Sequence, residues 1–380
     1  MATELVLLGT AGAPLPVAGR AGISSALVVD DRVFVIDCGR GSPSAFVDAG
    51  LDFTRLEAIF ITHLHADHAG DLPGMLLYPW GVRMGDGVPL PPIRVYGPAS
   101  PGSLPADDAE FRRETTIAPE APVPGTEDLV SHLLAGYAFD LNVMPLDAHM
   151  PDAGQLVRAI DVHFPERADG SLEFPLVVFE DPAVRVSVIP VTHGRVMPAF
   201  AYRFDTADGS VVFSGDTTVN EDLIALAEGA DILVHCVADL AYLGRHGFAG
   251  AALDRMAALH TDVNDVGSVA GRAGVHELIL NHYVPAEPDA ITEAELEERA
   301  GRSFSGRTTP GSCAERRWRV GAIAADSAPV NPTRSATPAT SALPACDTWP
   351  LPSAVTTSLS TSPSRFTIRV ILLAVERDSS

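Results

Sequence analysis

The stretch FITHLHADHAGD, residues 60–71, sets three histidines and two aspartates directly behind an apolar run. That run, LEAIFITH (56–63), reads as a buried strand that delivers the cluster at its end. A strand-end loop can turn His63 and His65 to one side, with Asp67 and His68 beside them. Imidazole and carboxylate donors suit zinc, with manganese or iron as alternatives, and a catalytic site keeps one position open for water. Two adjacent cations can share one activated water. Four donor side chains within six positions make this a metal motif rather than a chance histidine cluster.

Working outward, two sites need about three more donors, and the sequence offers them at strand ends. His193 follows VSVIPVT (186–192), Asp216 follows VVFSG (211–215) and His282 follows ELILN (277–281). Singly, each is an ordinary polar residue closing a strand. Together, in a chain that already holds the first cluster, they complete a donor set.

The surrounding pattern is α/β. ELVLLGT (4–10), SALVVDD (25–31) and RVFVIDCG (32–39) read as short β-branched strands, and PSAFVDAG (43–50) as a helix closed by Gly50. EDLIALAEGADILVHC (221–236) predicts a helix then a strand, GAALDRMAALHTDVNDVGSVAGRAG (250–274) helical segments, and VHELILNHYVP (275–285) a last strand. Residues 100–185 are less regular, Pro-rich and acidic in patches, and predict an insertion that caps one face as a lid or pocket wall. From Gly311 the text turns Ser/Thr/Pro/Ala-rich, with seven arginines against five carboxylates. Such a composition buries too little apolar surface to offset ordering entropy. Residues 311–380 therefore read as a disordered tail: an appendage, a frameshifted terminus or a partner-binding segment.

The chain has 380 residues, a mean hydropathy of +0.17 and a formal net charge of −23, with every basic residue an arginine. The acidity repels phosphate backbones, so a small-molecule substrate is expected rather than nucleic acid. No signal-peptide pattern opens the chain and no apolar run is long enough to span a membrane, which predicts a soluble cytoplasmic protein. Cys38, Cys236, Cys313 and Cys346 lack any paired spacing and read as buried thiols.

LLGTAGAP (7–14), VIDCGRG (35–41), the H-x-H-x-D-H motif, THGRVMPAFAYRF (192–204), FSGDT (213–217), ALHTDVNDVGSVAGRAG (258–274) and LILNHYVP (278–285) together resemble the metallo-β-lactamase superfamily, most closely its ribonuclease Z and arylsulfatase-like branch. The resemblance spans residues 3 to about 310 and implies a four-layer αβ/βα sandwich with two metals, expected to be Zn²⁺, at one edge of the sheets. It implies that His63, His65 and His193 hold one metal and Asp67, His68 and His282 the other. Asp216 would bridge them, and Asp37 would buttress the metal loop. A bridging hydroxide would attack a phosphorus, sulfur or carbonyl centre, with Asp67 aiming it. His260, in a stretch similar to the histidine-serine-threonine loop of ribonuclease Z, would give a proton to the leaving group; otherwise it is an exposed histidine at a helix start. Homodimers are common among such relatives.

Departures from ribonuclease Z bear on the substrate. Cys236 in VHCVADL (234–240) stands where that family has a glutamate. The tRNA-binding arm has no counterpart, because AYRFDTADGSVVFSGDT (201–217) runs straight from one strand to the next. The expectation is a dinuclear zinc hydrolase of a small sulfate ester, phosphodiester or lactone. The alternatives are a tRNA 3′ endonuclease, or a diiron redox protein or scaffold of the same fold. Tyr78, Trp80 and Phe164 are candidate pocket aromatics, and Arg195 either holds an anionic group or is a solvated loop residue. His132, His149, His163, His235, His246 and His276 have no partner at donor spacing and read as structural or surface residues.

Overall fold

Each short apolar run of the N-terminal part becomes a strand buried on both faces. The computed structural model describes residues 3–83, 90–106, 115–148, 150, 152–167, 169–311 and 317–320. Strands β1 (Glu4–Gly9), β2 (Ser24–Val29), β3 (Arg32–Ile36), β4 (Leu56–Phe60), β5 (Ile93–Pro98) and β6 (Val157–Val162) lie side by side in chain order. The first three are antiparallel, and β3 to β6 run parallel. A second sheet repeats the plan with β7 (Leu176–Glu180), β8 (Val184–Pro190), β9 (Phe200–Thr206), β10 (Gly209–Phe213), β11 (Ile232–Ala238), β12 (Glu277–Val284) and β13 (Arg307–Pro310). It is an antiparallel meander through β10 and parallel from there on. β14 (Arg317–Arg319) returns to the first sheet, antiparallel to β1.

The strand period of two explains why both faces read as apolar. Leu5, Leu7, Phe34 and Phe60 point between the sheets, where they meet Val186, Phe200, Tyr202 and Phe204. Phe60 sits at this centre, stacked on Tyr96 at 5.0 Å and edge-on to Phe204 at 5.2 Å. The alternate residues Val6, Leu8, Val33, Val35 and Ile59 face outward onto helices Ser42–Asp48, Leu72–Leu77 and Thr126–Gly136. Leu233, Leu278 and Leu280 of the second sheet likewise meet helices Glu221–Leu226, Val266–Ala273 and Glu293–Gly301. Helix, sheet, sheet and helix are the four layers expected.

Two boundaries differ from the sequence reading. The segment 100–185 is not only a cap, because β6 and β7 form an outer strand of each sheet. Both strands lie at sheet edges and stay half-exposed, so their alternation is weak in the sequence. Beyond residue 310, Trp318 is buried between two arginines that both pair with Glu4, and these contacts add β14 to the sheet. Residues 321–380 lie outside the described residues. Among the described residues no helix is long and apolar enough to cross a membrane.

Candidate metal centre

Both sheets end their strands at the same edge, and the side chains singled out in the sequence meet there. The loop after β4 carries His63 and His65 into a short helix, Ala66–Ala69, that holds Asp67 and His68. The second sheet supplies His193 after β8, Asp216 after β10 and His282 on β12. Gly215 makes the turn into Asp216 with φ +59°; a Cβ there would stand 2.4 Å from the Phe200 carbonyl oxygen, so only glycine fits. Asp37 and His282 adopt φ of 60° and 45°, a left-handed backbone costly for residues with a side chain and concentrated at functional sites.

Two donor groups form. In the first, His65 Nδ1 lies 2.9 Å from His63 Nε2 and 3.4 Å from His193 Nε2. In the second, Asp67 Oδ2 lies 3.3 Å from His282 Nε2 and 3.8 Å from His68 Nε2. Asp216 Oδ2 stands between them, 3.1 Å from His282 Nε2, 3.5 Å from His68 Nε2 and 3.8 Å from His193 Nε2. His63–His65–His193, Asp67–His68–His282 and His63–His68–Asp216 each bring their donor atoms within 4.8 Å of one another.

The residues fit a pair of cations on grounds of their own chemistry. His68 Nε2, Asp216 Oδ1 and His260 Nδ1 are buried without a hydrogen-bond partner, an arrangement that costs free energy unless another group satisfies them. Burial, reinforced by repulsion from His68, drives His63 well below its ordinary pKa, and burial also lowers His65 and His193, leaving imidazoles able to ligate. Burial opposes ionisation of Asp67 and Asp216. Their histidine partners outweigh it and hold both below the usual carboxylate range. His68 shows the converse: burial disfavours its charge, but Asp216 and Asp37 raise its pKa well above the ordinary value.

Contacts invisible in the sequence set the tautomers. His68 Nδ1 bonds Asp37 Oδ2 at 2.8 Å, and His193 Nδ1 donates to the Leu259 carbonyl at 2.8 Å, leaving each Nε2 free to point inward. Thr62 ties the groups together. Its N–H donates to Asp37 Oδ1 at 2.8 Å, and its hydroxyl lies 2.9 Å from Asp37 Oδ2, 3.1 Å from His63 Nδ1 and 3.2 Å from His68 Nδ1. Gly12 lets His282 approach, since a Cβ there would stand 2.6 Å from its Nδ1. Threonine and glycine beside such loops carry no donor signature, so pattern alone does not single them out.

His260 is buried at the same edge, with Nδ1 3.7 Å from Asp216 Oδ2. Burial pushes it down to about 3, so it is neutral at rest. Cys236 engages the Thr217 backbone and not a proton relay; burial raises its thiol to about 12. Cys38 is also a buried free thiol, while Cys313 and Cys346 lie outside the described residues. His132, His163, His235, His246 and His276 belong to none of the donor groups, and His149 lies outside the described residues.

A cleft of about 730 Å³ opens beside His65, walled by residues in 98–105, 122–124 and 194–198. Arg195 lines it, but the proposed aromatics do not. Trp80 packs into a satellite core with Leu141 and Leu156, Tyr78 is exposed, and Phe164 lies edge-on to Phe200. Buried Trp80 and half-buried Phe164 are each already covered by their own apolar neighbours.

Comparison with known proteins follows the same lines. A family model described as anti-Pycsar protein Apyc1 matches residues 3–79. Ribonuclease Z of Mycobacterium sp. strain KMS is 33% identical over 303 residues, covering 79% of this chain and 90% of that protein. The metallo-β-lactamase fold protein YhfI from Bacillus subtilis superposes with a TM-score of 0.54 at 17% identity, covering 84% of this chain and 99% of that one. The short form of human tRNase Z does so at 0.53 and 18%, covering 83% and 99%.

Proposed function

The chain belongs to the ribonuclease Z-like branch of the metallo-β-lactamase superfamily and is a metal-dependent hydrolase, and from that premise we propose that it hydrolyses a small phosphodiester. The observation that carries this reading is that His65, a donor of the first group, also lines the 730 Å³ cleft, a volume in the range of small-molecule sites. The name ribonuclease Z implies phosphodiester cleavage, which favours that ester over a sulfate ester or lactone.

In this reading His63, His65 and His193 would hold one cation and Asp67, His68 and His282 the other, with Asp216, which stands between the two groups, available to either. Two divalent ions there, zinc by the donor chemistry, would supply an activated water and neutralise charge developing on the phosphoryl oxygens. Asp67, ionised throughout the working pH range, accepts a hydrogen bond from the attacking water and aims it at phosphorus. Asp37, Thr62 and the Leu259 carbonyl lock the imidazoles in the ligating tautomer. His260 serves the departing oxygen. Being neutral at rest, it acts as an N–H donor and passes on a proton only after receiving one.

A second reading, tRNA 3′ processing, is favoured by the name of the mycobacterial relatives and sets an RNA substrate against the expectation drawn from net charge. Against it, β9 turns into β10 through residues 207–208 alone, with Thr206 paired to Gly209, so no arm projects between them.

The test is a screen of zinc- or manganese-loaded protein against a bis-aryl phosphodiester, an aryl sulfate, a lactone and a 3′-extended tRNA, with Asp67→Ala as the blank. Diester turnover that vanishes in the variant supports the proposal. Cleavage confined to tRNA, or to the sulfate or lactone, overturns it.

A further inference from the structure

Resting on the phosphodiesterase reading, we propose that the cleft beside His65 is a ring subsite: it seats a planar aromatic group on the non-leaving oxygen of the diester. The wall has an unusual composition. Six of its lining residues are prolines, drawn from three separate segments, and among the described residues that line it there is no carboxylate. Proline has no N–H, so such a wall offers few donors for a polar ligand to satisfy, while its fixed ring presents flat C–H surface at little ordering cost. Leu104, Val123, Val196 and Met197 complete an apolar lining. Met197 is 70% exposed, although water would be displaced favourably from it by an apolar ligand.

Charge and continuity choose the occupant. The protein carries −23 overall, yet among the described residues that line this cleft the charged side chain is Arg195, with His65 beside it as an imidazole whose charge burial disfavours, which suits a ligand with one negative charge and an apolar arm. His65 belongs to both the first donor group and the cleft lining, so a diester whose phosphate sits at the donors has one substituent directed along the proline wall. The reaction balances without a further reactant. Water oxygen bonds to phosphorus and gives up a proton, the P–O bond to the leaving group breaks with its electron pair going to the phenolate oxygen, that oxygen takes up the proton or leaves it to solvent according to the phenol's pKa, and the monoester keeps the seated ring.

The experiment compares diesters that share p-nitrophenol as leaving group and differ only in the other substituent: methyl, cyclohexyl, phenyl and thymidine-5′. Wild type, Met197→Asp and Leu104→Asp are assayed as metal-loaded full chains. The expected result is a KM for the phenyl or thymidine ester about tenfold or more below that of the methyl ester, with the cyclohexyl ester between. The preference should fall within about threefold in both variants. The phenyl and thymidine arms separate an aryl group from a nucleobase. Equal KM values across the series, or a ring preference that survives both substitutions, overturn the subsite and leave the hydrolase reading standing. Turnover of none of the diesters, with tRNA or a sulfate ester cleaved, overturns the phosphodiesterase reading and the subsite with it.

Discussion

Replacing Asp37 with asparagine exchanges one oxygen for an amide nitrogen at constant volume, in a residue that touches no proposed metal. Both carboxylate oxygens are committed: Oδ1 accepts from the Thr62 N–H at 2.8 Å, and Oδ2 from His68 Nδ1 at 2.8 Å. The amide satisfies only one of these. With its nitrogen toward Thr62, two buried donors face each other. With its nitrogen toward His68, Nδ1 must become the acceptor and the proton moves to Nε2, the atom that points at Asp216 and Asp67. The first outcome loses one buried hydrogen bond, on the order of 1–3 kcal/mol, and the second keeps the bond but protonates the nitrogen that should ligate. Partners of metal-bound histidines commonly contribute about 10–100-fold in affinity, or roughly 1.4–2.7 kcal/mol, so the two scales agree. Chelator-competition titration should show the Asp67–His68–His282 group weakened by about 10–100-fold, with stoichiometry falling from two toward one at limiting metal. Affinities within twofold of wild type at both groups, or a loss confined to His63–His65–His193, would refute the reasoning.

Other consequences are open to direct measurement. His68 has a raised pKa in the metal-free chain, so the stability it lends is complete below its unfolded value near 6.5 and fades as pH rises through the folded value. Metal binding must then expel that proton; calorimetry at pH 7 in buffers of different ionisation heat should find about one proton released per chain, and zero would exclude the assignment. His235 is wholly buried and depressed to about 4 chiefly by burial, so its neutral form stabilises the fold above 6.5 and that stability is lost as pH falls toward 4. The loss should reach about 3 kcal/mol. Urea unfolding should show His235→Gln with a visibly flatter slope over that interval, and parallel slopes would count against it. Gly12→Ala puts a methyl 2.6 Å from His282 Nδ1 and should cost about 1–3 kcal/mol while lowering metal content at the Asp67–His68–His282 group. A variant with wild-type melting and full metal content would mean the loop gives way.

What the sequence made legible followed from burial. Runs apolar on both faces, such as LVLL and VFVI, had to lie between two layers, and a polar donor closing such a run had to sit at a sheet edge. His63, His65, Asp67, His68, His193, Asp216 and His282 were therefore readable as strand-end residues, although their division between two metals came from the resemblance. What stayed hidden depends on contacts between distant segments. Nothing local tells that Thr62 spans Asp37 and two histidines, or that the Leu259 carbonyl orients His193 from 66 residues away. Edge strands escaped for a different reason. β6 and β7 are half-exposed, and β14 is three residues with one buried apolar side chain, Trp318, so composition outweighed pattern in both regions. The pocket aromatics failed because an aromatic residue beside a motif often completes its own local core, as Trp80 does.

Each donor group draws on both sheets. His65 meets His193 across 128 residues of chain, and Asp67 meets His282 across 215. A cation in either group is therefore a reversible cross-link between the two halves of the sandwich, closing a long loop whose entropy rises only slowly with length. Chelation would remove a rivet as well as a reagent: the halves keep their separate outer cores, and the aromatic seam around Phe60 and Phe204 is left to hold the two sheets together without that cross-link.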